Sequence, residues 1–75
     1  MSFDKELDAS GLSCPLPIVK TKKALNDMSS GQILKIISTD RGSIADMAAF
    51  AEQTGNVLVS SAEESGKYVF MMKKG

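Results

Sequence analysis

The sequence predicts an α/β (α+β) two-layer sandwich of order βαβαββ, with one mixed four-stranded sheet and two helices on one face. Three observations predict it. Apolar residues recur at helical spacing in two segments, each closed by a glycine, Gly31 and Gly55. Strand-like runs precede, separate and follow those segments. The chain has 75 residues, enough for one core and too few for two, so residues 1–75 read as a single domain.

Taken in order, Phe3 to Ala9 carries Phe3 and Leu7 as its large apolar residues and reads as an edge strand, ended by Ser10-Gly11. After Cys14-Pro15-Leu16-Pro17, the residues Ile18, Val19, Ala24, Leu25 and Met28 fall near one face of a 3.6-residue period, predicting an amphipathic helix that stops at Ser29-Ser30-Gly31. Gln32 to Thr39 is β-branched and nearly continuous in apolarity, as a central strand with a covered face should be. Asp40-Arg41-Gly42 makes a turn, and Ser43 with Asp46 three positions on approximates a capping box for a second helix over residues 43–54. Its apolar positions are Ile44, Met47, Ala48, Phe50 and Ala51, and Gly55 stands where a left-handed cap wants glycine. Val57-Leu58-Val59 and Tyr68 to Met72 are strands joined through Glu63-Glu64-Ser65-Gly66 as a hairpin. Met47, Phe50 and the Met71-Met72 pair are assigned to the core rather than to a binding surface.

Charge and composition exclude several functions. Nine Lys and Arg balance nine Asp and Glu, so no overall field draws the chain to phosphate backbones or anionic lipid, and direct nucleic-acid binding is not expected. Met1 to Glu6 is polar and charged, and no apolar run approaches the roughly 20 residues of a bilayer span, so neither a leader nor a membrane segment is expected. A single cysteine makes no internal disulfide and points to the reducing cytoplasm. With no histidine and one cysteine, the usual zinc, haem and iron–sulfur ligand sets are missing, as is any Cys-His pair; no metal or cofactor is expected, and the chain is read as a monomer.

The chemistry therefore concentrates on Cys14. Cysteine is among the residue types most often buried, but here it stands where a glycine-containing loop enters a helix. Unpaired N–H groups and the helix dipole favour an anion at that place, so the sequence predicts a depressed thiol pKa. Pro15 and Pro17 are tolerated in a first turn and stiffen the corner. Lys20, one turn on, adds positive potential. Without a second cysteine, two-thiol redox chemistry is excluded, but a persulfide on Cys14 has an outer sulfur that a partner's thiolate can take. Asp40 and Arg41 belong to a loop that should lie at the same end of the sheet as Cys14, and they join Leu16 and Lys20 as candidate docking residues.

The segment Leu7-Asp8-Ala9-Ser10-Gly11-Leu12-Ser13-Cys14-Pro15-Leu16-Pro17 resembles the opening of the TusA/SirA sulfur-carrier family, with its Cys-Pro-x-Pro motif. The likeness continues through Gly31, the Ile33 to Thr39 strand, the Asp40 loop, Asp46, Gly55 and the final hairpin. It implies a sulfurtransferase-type carrier rather than a turnover enzyme, with Cys14 as sulfur acceptor and donor. The implied partners are a cysteine desulfurase or rhodanese as donor and a DsrE-type protein as acceptor, in tRNA thiolation, molybdenum cofactor supply or sulfur oxidation. Departures fall at Ala45, where many relatives carry arginine, at Leu16, often glutamate, and at Ser13, often arginine. Two other readings of the residues stay open: a protein- or RNA-interaction module in which Cys14 is incidental, and a single-cysteine redox sensor.

Overall fold

The computed structural model describes residues 2–75; Met1, the first residue of the polar amino-terminal segment and of the expected 1–75 domain, lies outside the described residues. The elements are β1 (Lys5–Ala9), α1 (Leu16–Asn26), β2 (Ile33–Ser38), α2 (Ser43–Thr54), β3 (Val57–Glu64) and β4 (Lys67–Lys73). They form one sheet of order β1-β2-β4-β3. Strand β1 pairs parallel with β2, which pairs antiparallel with β4, and β4 closes a hairpin with β3. The βαβαββ order and the mixed four-stranded sheet are those the sequence predicts.

Alternation along the strands decides where the core lies. On β2, Leu34 and Ile36 are fully buried, and on β4 so are Phe70 and Met72. These side chains meet Ala24, Leu25 and Met28 of α1 and Met47 and Ala51 of α2 in one cluster, so both helices cover the same face. The opposite face is open. There Lys35 of β2 stands across from Met71 of β4, and its ammonium lies 5.1 Å from the Phe3 ring. Met71 is thus buried on the open face rather than in the core cluster with Met72.

Several residues differ from the sequence reading. Strand β1 starts at Lys5, not Phe3, because the Asp4 carboxylate takes the Ile33 N–H at 2.8 Å and closes the strand's edge. On α1 the buried stripe is Pro17, Thr21, Ala24 and Leu25, while Val19 is 55% exposed. Thr21 hides in this stripe because its hydroxyl donates to the Pro17 carbonyl at 2.8 Å, leaving no polar atom unsatisfied. On α2, Ile44 is exposed and Ala48 faces solvent, and the stripe is Ser43, Met47 and Ala51.

The element ends have physical causes. Gly55 caps α2 at φ 75°, with the Asn56 N–H returning to the Ala51 carbonyl at 3.1 Å. The end of α1 is held from afar. Lys74 donates through Nζ to the carbonyls of Leu25 and Met28 at 2.6 and 2.7 Å, placing a cation on the negative end of the helix. Ser65 and Gly66, at φ 51° and 78°, form the two-residue turn of the hairpin, which is longer on its β3 side than Val57 to Val59 suggested.

Candidate functional site

The β1–α1 and β2–α2 loops meet at one end of the sheet and are laced together. Gly11, at φ 81°, donates its N–H to Thr39 Oγ1 at 2.8 Å. The Cys14 N–H donates to Asp40 Oδ2 at 2.9 Å, and the other oxygen of that carboxylate accepts the Gly42 N–H at 3.3 Å. Asp40 is fixed in turn by its own N–H, which donates to Ser38 Oγ at 3.1 Å; Ser38 and Ser43 share a buried hydroxyl pair at 2.7 Å. The predicted capping box does not form. The α2 cap is Gly42 with no side-chain bond, because the Ser43 hydroxyl turns inward to Ser38 and the Asp46 side chain faces Cys14.

Cys14 is a free, exposed thiol one residue before Pro15, the α1 cap. It opens onto a cleft of about 280 Å³. Pro15 and Ile18 line it on the α1 side, and Asp46, Ala49, Phe50 and Gln53 on the α2 side. Phe50 is half-buried against the core and also forms this wall, so it serves both. Leu16 is 45% exposed beside the thiol, and Pro17 is buried. Lys20 and Arg41 are exposed and outside the cleft wall. The structure therefore brings Cys14, Pro15 and Asp40 together and leaves Lys20 and Arg41 apart.

The depressed thiol pKa expected from a helix start is not what this geometry produces. The Asp46 carboxylate in the same cleft wall, then partial desolvation, then the charge of Asp40 push the Cys14 pKa up. The helix start offers little to oppose them. Pro15 and Pro17 have no N–H, the Leu16 N–H donates to the Ser13 carbonyl at 2.9 Å, and the Ile18 and Val19 N–H groups return to Pro15 at 3.1 Å. The donors that would stabilise a thiolate are absent or engaged. Sequence reasoning missed Asp46 because its spacing from Ser43 matched a cap, and only the packing of α1 beside α2 brings it to the thiol. Among the described residues, no three His, Cys, Asp or Glu side chains converge on a metal position, and no helix is long and apolar enough to cross a membrane.

Comparison with known proteins agrees with this fold and places the chain in a family. Residues 5–74 match the family described as sulfurtransferase TusA. The chain is 64% identical over 72 residues to the sulfur carrier protein TusA of Allochromatium vinosum, covering 96% of this chain and 95% of that one. It is 37% identical over 73 residues to the sulfur carrier protein TusA of Pseudomonas aeruginosa, covering 97% and 92%. A SirA-like protein of Desulfitobacterium hafniense has the same fold, with a TM-score of 0.84 over 96% of this chain and 99% of that one at 23% identity. The class is thus that of small carriers working in a sulfur relay with transfer partners. Within it, the chain belongs to the TusA family.

Proposed function

We propose that Cys14 is the sulfur-bearing residue, holding sulfur as a persulfide. One observation carries the reading: the chain's single cysteine is exposed at the mouth of a cleft, on a corner that prolines and Asp40 hold in place. In uptake, the Cys14 sulfur attacks the outer sulfur of a donor persulfide. The donor's S–S bond breaks and the donor thiolate takes up a proton. In delivery an acceptor thiolate attacks the same outer sulfur and Cys14 leaves as thiolate. Neither step is a net oxidation, so no cofactor enters.

The donor in this reading is a cysteine desulfurase or a rhodanese, and the acceptor a DsrE-type protein. The acceptor decides whether sulfur goes to tRNA thiolation, molybdenum cofactor or sulfur oxidation. Persulfide chemistry of this kind suits the reducing cytoplasm. A chase experiment tests delivery: the carrier is loaded with labelled sulfur, freed of donor, and mixed with a DsrE-type acceptor. Label should move to the acceptor and Cys14 return to thiol; label that stays, or is released as sulfide only, would refute the relay through that acceptor.

A further inference from the structure

Among the described residues, Asp46 has no ion-pair partner. It sits half-buried in the cleft wall, and the one ion pair among the described residues joins Lys5 to Asp27 elsewhere. No other wall residue carries a formal charge except Cys14 when ionised. Asp40 adds a second carboxylate at the Cys14 backbone. Two carboxylates therefore flank Cys14 in a chain whose formal net charge is zero. Of the rest of the wall, Pro15, Ile18, Ala49 and Phe50 are apolar and Gln53 is polar and uncharged. A partly desolvated carboxylate in that setting is screened less than a surface one and gains more from an opposing cation.

We propose that the cleft selects its sulfur-exchange partner by charge: a lysine or arginine of the partner pairs with Asp46, with apolar partner residues on Ile18 and Phe50, and this pairing frees Cys14 to exchange sulfur. The inference rests on Cys14 as the sulfur-bearing residue. Negative charge develops on Cys14 Sγ in uptake, when the S–H proton departs, and in delivery, when the sulfur leaves as thiolate. An unpaired Asp46 opposes both, because a thiolate of higher pKa forms less readily and leaves more slowly. The empty carrier is then kept inert, and the loaded one keeps its sulfur from small thiols. A partner cation lifts both restraints at the moment of docking.

The test uses the empty carrier and three disulfides of similar size: cystamine, with two ammonium groups, neutral bis(2-hydroxyethyl) disulfide, and dithiodipropionic acid, with two carboxylates. In each reaction Cys14 forms a mixed disulfide, the probe's S–S bond breaks and one probe thiol is released, which intact mass follows. At low ionic strength the wild type should react with cystamine faster than with the dicarboxylate by on the order of tenfold, the neutral probe falling between, and salt should compress the spread. Asp46→Asn should reduce the cation-to-anion ratio several-fold and speed the neutral probe, with the urea midpoint little changed. Equal rates for cation and anion in the wild type, or a ratio that Asp46→Asn leaves intact, would overturn the proposal. Because these probes require no persulfide, failure of sulfur loading would count against the carrier reading alone, and a flat charge order against this inference alone.

Discussion

Asp40 joins two loops through one side chain. Its oxygens take the Cys14 and Gly42 N–H groups, so it sets where the thiol stands as well as how the turn closes. Asp40→Ala should cost about 1 kcal/mol in urea unfolding, the usual net worth of such hydrogen bonds, and should loosen Cys14; Asp40→Asn, which keeps one acceptor oxygen, should recover part of the loss. The thiol has a pH signature of its own. Its pKa is raised in the fold, chiefly by Asp46, so the protonated form is favoured there. The linked stability is present below the unfolded cysteine pKa and is lost as pH rises through the folded one. Iodoacetamide alkylation against pH should accordingly give a midpoint above that of free cysteine, moving down in Asp46→Asn. A wild-type midpoint below free cysteine would show that the helix start prevails over the carboxylates.

At the scale of elements, the helices and strands follow from local pattern, whereas the site depends on which of them touch. Cys14, Pro15 and Pro17 were legible because a loop-to-helix junction is written in consecutive residues. Asp46 was not, since nothing within α2 distinguishes a carboxylate that caps its own helix from one that faces the neighbouring helix. Val19 was misplaced and Thr21 passed over for a related reason: the α1 stripe is defined by contact with the rest of the core, and a threonine bonded to its own helix fits there better than its polarity suggests. Gly55 shows the opposite case, where a local rule suffices. With φ at 75° an alanine there is strained, so Gly55→Ala should lower stability by about 1 kcal/mol without changing sulfur exchange.

For the whole molecule, one face of one sheet supplies the core, and its margin is small. Phe70 is its largest fully buried side chain, set between Leu34, Ile36 and the two helices. Phe70→Ala should remove roughly 3–5 kcal/mol, a large part of the 5–15 kcal/mol that holds a typical domain together. Urea unfolding should show a much lower midpoint with little change in slope. Such a core suits a carrier: the stable sheet and helices hold the two loops, and the thiol between them, at one end.

The central claim, that Cys14 bears the sulfur, is tested most directly by loading. The protein is incubated with a cysteine desulfurase and cysteine, or with a rhodanese and thiosulfate, and its intact mass recorded beside that of Cys14→Ser. The wild type should gain one sulfur atom that a reductant removes, and the variant none. No gain from either donor by a folded wild type, or an equal gain by Cys14→Ser, would contradict it.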